Sequence, residues 1–165
     1  MKRILVIGSA GAGKTEFSKK LAYQLKLNLV HLDHLYWLEN WHYRNKEEFI
    51  TDLKYNLEKD SWILDGNYNN TIPLRLEYAD TVIHLNFNRW ICFYRALKRS
   101  FLKETFQARG CPQKFDWGFL WYILYQYPKQ HKPKCKHYKE HLKNIEWIEI
   151  KTPKQAEHFL NNLDK

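Results

Sequence analysis

Residues 8–15 constrain this chain more than any other stretch: they read Gly8-Ser9-Ala10-Gly11-Ala12-Gly13-Lys14-Thr15, the spacing G-x-x-x-x-G-K-[ST]. The setting fits the motif. Arg3 to Ile7, immediately before it, is a short apolar run of the kind a buried strand carries. Thr15 to Gln24, immediately after it, places Phe17 and Leu21 at helical spacing, with Leu25 next in the same series. In a strand–loop–helix unit of this kind, glycines let backbone N–H groups turn inward around phosphate oxygens, and the helix adds its positive end. Lys14 then reaches the β and γ phosphates of a nucleotide and the Thr15 hydroxyl ligates Mg²⁺.

Such a loop belongs in an α/β sheet, and the rest of the chain carries the pattern. Leu27–Leu32, Trp62–Leu64, Thr81–Phe87 and Ile145–Ile150 are continuous in apolar or β-branched residues, as strands covered on both faces are. Lys46–Leu57, with Phe49, Leu53 and Leu57 on one face, and Lys154–Leu163 read as helices between or after them. With 165 residues, one domain spanning 1–165 is expected. No apolar run approaches the roughly 18 residues that span a bilayer, so no membrane partner is expected. Three cysteines, Cys92, Cys111 and Cys135, make an odd count that speaks for a reducing compartment, the cytoplasm.

The net charge of +9 is not spread evenly. Residues 1–88 hold eleven basic and eleven acidic side chains, whereas 89–143 hold thirteen basic and three acidic ones together with thirteen aromatic rings. The excess therefore belongs to one segment after the fourth strand, which reads as a basic aromatic insertion in an otherwise balanced body. Asn88 is placed to cap a helix carrying Arg95 and Arg99, Gly110-Cys111-Pro112 to break it, and Asp116 to cap a second helix. On that second helix Phe119, Leu120, Ile123, Leu124 and Tyr127 form an apolar stripe suited to core packing, and Pro128 is expected to end it. Lys132–Lys136 contains Pro133 and reads as a turn.

Two aspartates follow strands where ligands bind in open α/β sheets. Asp65 ends Trp62-Ile63-Leu64 and precedes Gly66-Asn67-Tyr68, so it is assigned to the metal or its water shell. Asp33 ends Leu29-Val30-His31-Leu32 and precedes His34, Leu35, Tyr36 and Trp37, a polar and aromatic set suited to an acceptor. It is assigned to the acceptor hydroxyl, with general base as its role.

These motifs together resemble the nucleotide-kinase branch of P-loop proteins. The chain is similar to adenylate kinases and, more closely, to bacterial DNA topology modulation proteins. The second likeness rests on Gly8–Thr15, His31-Leu32-Asp33 with Leu35-Tyr36-Trp37, Trp62 to Tyr68, Arg75 and Ala79-Asp80-Thr81-Val82-Ile83. The resemblance implies a three-layer α/β/α fold on a five-stranded parallel sheet, with 89–143 as a helical lid. It also implies binding of ATP and Mg²⁺, and phosphotransferase activity. Adenylate kinases carry two lid arginines four residues apart, and Arg95 and Arg99 stand in that place, able to share one helix face and neutralise a transferring phosphoryl group. By the same likeness Lys151, Thr152 and Pro153 lie near the adenine.

Departures from that pattern concern the acceptor. Where adenylate kinases have Asp-Gly-Phe-Pro-Arg, this chain has Asp65-Gly66-Asn67-Tyr68-Asn69, so the arginine that holds the acceptor monophosphate is missing. Arg44 and Arg75 are its candidate replacements, beside Asp33, Tyr36, Trp37, Asn67 and Tyr68. A nucleoside, another monophosphate or an unrelated hydroxyl compound all remain open as the small-molecule acceptor. No Asn-Lys-x-Asp element points to a GTPase. The lysine-rich stretch Lys129–Lys143 carries the alternative reading, a nucleotide-controlled protein that holds nucleic acid on a basic, aromatic surface.

Overall fold

A computed structural model of the chain describes residues 1–101, 111 and 115–163. Five parallel strands, β1 (Arg3–Gly8), β2 (Leu29–His31), β3 (Trp62–Asp65), β4 (Thr81–Leu85) and β5 (Glu146–Ile150), form one sheet in the order β2-β3-β1-β4-β5. Helices α1 (Lys14–Leu25), α2 (Leu32–Tyr36), α3 (Lys46–Leu57), α4 (Ile72–Tyr78), α5 (Arg89–Ser100), α6 (Trp117–Trp121), α7 (Tyr127–His141) and α8 (Pro153–Asn161) connect and cover it. The three-layer α/β/α architecture expected from the sequence is the one observed.

Side-chain alternation along the strands splits the core in two. On one face Ile4, Val6, Ile63, Ile83 and Leu85 pack with Phe17 and Leu21 of α1, Cys92 and Ala96 of α5, and Leu160 of α8. On the other, Leu5, Ile7, Leu64 and Val82 pack with Phe49, Leu53 and Leu57 of α3, Ile72 and Leu76 of α4, and Cys135 of α7. Period-2 strands and period-3.6 helices thus bury the residues that the sequence pattern marks. The edge strand β2 is shorter than its apolar run, because only Leu29, Val30 and His31 pair with β3.

The segment between β4 and β5 is part of this packing. Asn88 caps α5 by accepting from the Trp90 amide, and Asp116 caps α6 by accepting from the Phe119 amide at 3.2 Å. The expected break at Gly110-Cys111-Pro112 lies outside the described residues except for Cys111, which is buried and donates its thiol to the Leu38 carbonyl at 3.2 Å. Of the expected stripe, Leu120, Ile123, Leu124 and Tyr127 are buried, while Phe119 is exposed.

Pro128 does not end the helix, and Lys132–Lys136 is not a turn: both lie in α7. A single π-helical turn, Tyr122–Gln126, explains the first. There the Tyr127 amide donates to the Tyr122 carbonyl five residues back, and the Leu124 carbonyl, four residues before Pro128, accepts instead from the Arg89 guanidinium at 3.3 Å. Pro133 sits inside α7, which the packing of His131 and Cys135 on either side of it holds against the body. Tertiary burial overrides the local signal.

Candidate active site

Parallel register brings the carboxyl ends of the strands to one edge. Gly8 pairs with Leu85 and Leu85 with Ile150, while Val6 pairs with Asp65 and Asp65 with His31. The loops that leave these ends hold most of the polar groups named from the sequence.

The phosphate loop runs from Gly8 to the first turn of α1. Gly11 and Gly13 have φ of 78° and 84°, left-handed values that a side chain resists. Gly11 is fixed by contact as well: a Cβ there would stand 2.1 Å from the Cys92 carbonyl oxygen of α5. The insertion's first helix therefore lies directly on the loop. Its Arg95 guanidinium comes within 3.6 Å of where a Gly13 Cβ would be and lies over the Phe87 ring.

Lys14 folds back on its own loop, donating to the Gly8 and Ser9 carbonyls at 2.9 and 3.1 Å. Burial lowers its pKa, while the negative charges of Asp65 and Asp33 act to raise it. Both aspartates thus act on the same ammonium. Arg99 belongs to this group too: its charge opposes that of Lys14, and Asp33 partly offsets the lowering that burial causes in Arg99.

Thr15 and Asp65, the two residues assigned to the metal, are in direct contact, the Thr15 hydroxyl donating to Asp65 Oδ2 at 3.1 Å. His31 Nδ1 lies 3.1 Å from the same oxygen. The sequence reading gave His31 no role beyond its motif. Its adjacency to Asp65 follows from the β2–β3 register, which local pattern does not contain.

Asn67 and Arg75 occupy places other than the expected one. The Asn67 side chain accepts from the Gly8 amide at 3.1 Å, tying the loop after β3 to the phosphate loop. Arg75, expected at the acceptor, is fully buried and turned inward. It donates to the carbonyls of Thr71 at 3.3 Å, Gly66 at 2.8 Å, Tyr68 at 3.2 Å and Asn67. Burial lowers its pKa to about 9, with the nearby Tyr68 acting the other way. Arg75 thereby clamps a turn in which Tyr68 is left-handed, with φ of 32°, a strained conformation for a tyrosine.

That clamp aims Tyr68. Its hydroxyl donates to Asp33 Oδ1 at 2.7 Å, and burial followed by the Asp33 charge raises the phenol's pKa, keeping it a donor. Asp33 lies in the short helix α2 and is exposed. Gly66 makes the approach possible, since a Cβ there would stand 2.8 Å from the Leu32 Cβ. Around Asp33 the rings form a wall: Tyr36 lies 4.9 Å from Tyr68, 5.2 Å from Phe49 and 5.0 Å from Trp37, and Trp37 lies 5.3 Å from Trp41. Arg44 forms an ion pair with Asp52 of α3, and its amide donates to the Tyr36 carbonyl at 2.8 Å.

Lys151, Thr152 and Pro153 close the far side of the edge. Thr152 caps α8 by accepting from the Gln155 amide at 3.2 Å, Pro153 opens the helix, and the Lys151 amide donates to the Gln155 side chain. Of the tyrosines beside and within the lysine-rich stretch, Tyr127 is buried, Tyr138 half-buried and Tyr125 exposed. His131 is buried, stacked 4.4 Å from Tyr127, with Nε2 at 2.8 Å from Asn69 Nδ2 and 2.9 Å from the Tyr122 hydroxyl.

No protein-family model matches the chain, and no curated protein matches it. Solved structures do. Shikimate kinase from Acinetobacter baumannii in complex with shikimate matches with a TM-score of 0.63, covering 99% of this chain and 90% of that one at 18% identity. The fold is that of shikimate kinases. A second one, from Bacteroides thetaiotaomicron, matches with a TM-score of 0.58, covering 99% of this chain and 96% of that one at 19% identity. At such identities the likeness is one of architecture, and the chemistry has to come from the residues themselves.

Proposed function

We propose that the chain is a phosphotransferase that moves the γ-phosphoryl group of ATP to the hydroxyl of a small molecule. One observation carries this reading: Lys14 of the phosphate loop, Asp33 of the aromatic wall and Arg99 of α5 are close enough for their charges to act on one another. A donor-phosphate cradle, a carboxylate able to take a proton and a cation for the transferred group thus share one space.

The residues suit ATP and Mg²⁺. The inward turn at Gly11 and Gly13 leaves a cradle free of side chains, and Thr15 with Asp65 supplies the hard oxygen donors that Mg²⁺ takes. Gly8 to Gly13 and Lys14 would bind the phosphates, Thr15 and Asp65 the metal, and Lys151, Thr152 and Pro153 would border the base. Mg²⁺ held by Thr15 and Asp65 would neutralise charge on the transferring phosphates. Asp33 accepts the acceptor's proton as its oxygen bonds to the γ-phosphorus and the bond to the bridging oxygen breaks, leaving ADP. Arg95 and Arg99, both on α5, offset the charge that develops there. Asn67 and Arg75 position the turn between the two halves.

ATP consumption measured against a panel of nucleosides, monophosphates and small hydroxyl compounds tests this. The expected result is a sharp rise with one class of acceptor, abolished by Lys14→Ala. No stimulation by any member, together with salt-dependent retention of DNA lost on changing Lys132, Lys134 and Lys136, would replace this reading with the nucleic-acid one.

A further inference from the structure

Among the described residues, the acceptor side offers an anion no uncommitted arginine. Arg75 is fully buried, and its guanidinium donates to four backbone carbonyls. Arg44 is committed to Asp52. Among the described residues these are the two arginines that the acceptor-side loops and α4 provide, and neither is turned to a ligand. Among the described residues, the cations placed at the site, Lys14, Arg95 and Arg99, lie on the phosphate loop and α5, where the donor's phosphates belong. Asp33 adds a negative charge where the acceptor must enter, and a like charge there disfavours a carboxylate or phosphate monoester.

The aromatic wall supplies the opposite preference. Tyr36, Trp37 and Trp41 are each partly exposed, and their rings continue into Tyr68 and the buried Phe49. Ring faces stack on flat rings without needing charge. Tyr68 holds Asp33 through Oδ1 at the border of this wall, so a molecule lying on the rings brings its hydroxyl to the carboxylate. We infer that the acceptor is a neutral hydroxyl compound bearing a flat ring, of the nucleoside class, and that carboxylate and phosphate-monoester acceptors are rejected. This rests on the phosphotransferase reading and narrows its substrate class.

The test is transfer of label from ATP to nucleosides, to their matching monophosphates and to shikimate, chosen as a carboxylate. The expected result is kcat/KM for at least one nucleoside about tenfold or more above that for its monophosphate and for shikimate. Trp37→Leu should raise KM for that nucleoside about tenfold with kcat within about twofold, and Trp37→Phe should restore it. Because Trp37 also packs on Trp41, thermal unfolding of both variants is followed alongside. Asp52→Asn, which releases Arg44, should raise kcat/KM for monophosphates several-fold, roughly the worth of a new charge-assisted contact. Preference of the native chain for a monophosphate or for shikimate overturns the inference and leaves the phosphotransferase reading standing. No transfer to any nucleoside, with ATP binding still dependent on Lys14, overturns it as well. ATP binding indifferent to Lys14→Ala removes the reading beneath it.

Discussion

The donor end and the acceptor end of this site are built in different ways. At the donor end most of the machinery is contiguous: Gly8 to Thr15 supplies the cradle, the lysine and the hydroxyl, joined by Asp65 from β3 and by Arg95 and Arg99 from α5. At the acceptor end the parts come from four places in the chain. Asp33 follows β2, Tyr68 follows β3, Arg75 reaches back from α4, and Phe49 arrives on α3. A contiguous site is fixed by local backbone geometry, whereas a dispersed one depends on buried contacts that hold it in register. Changes at the donor end should therefore remove chemistry outright, and changes at the acceptor end should move specificity and stability together.

The largest effect is expected from Lys14→Ala, a fall in phosphoryl transfer of about 10³-fold or more, measured as initial rates at saturating acceptor. Gly11→Ala comes next. Its left-handed φ and the 2.1 Å approach to the Cys92 carbonyl should cost about 3 kcal/mol, read as a lowered midpoint in denaturant unfolding. If Gly11→Ala were neutral, α5 would not rest on the loop and the contrast between the two ends would lose its donor half. Arg99→Ala should lower kcat about 10²-fold with little change in ATP affinity, which distinguishes a group acting on the transferred phosphoryl from one that binds ground-state phosphate.

The smallest effect concerns acid pH. Burial lowers His84 and His131 from the ordinary 6.5 to about 4, with Lys134 adding to the effect at His131 and Glu149 opposing it at His84. Since folding depresses these values, their contribution to stability is fully present above about pH 6.5 and is lost as pH falls toward 4. The loss is on the order of 2 kcal/mol per histidine near pH 5. His131→Gln should flatten that decline in melting temperature between pH 6.5 and 4, and an unchanged decline would mean that His131 does not bridge Asn69 and Tyr122 in solution.

This contrast also explains how much could be read beforehand. The strands, the phosphate loop, Asp65 and the caps Asn88 and Asp116 are visible in the sequence because periodicity and capping are local. Asp33 is visible for its place after a strand. The roles of Asn67, Arg75 and His31 are not, because each is decided by a partner far along the chain: Gly8 for Asn67, the turn carbonyls for Arg75 and Asp65 for His31. An arginine near a missing arginine reads as its substitute, and only burial shows that its donors are spent. Pro128 and Pro133 mislead for the same reason, since a π turn and a packed helix face outweigh the residue's own preference.

In the proposed reaction a donor half and an acceptor half meet across Lys14, Arg99 and Asp33. Asp33→Asn tests it most directly, because the amide keeps the size and the Tyr68 contact while removing the base. ATP affinity should be unchanged, and transfer to the best acceptor should fall about 10²- to 10⁴-fold. Transfer at the native rate in Asp33→Asn, with ATP still bound through Lys14, would contradict it.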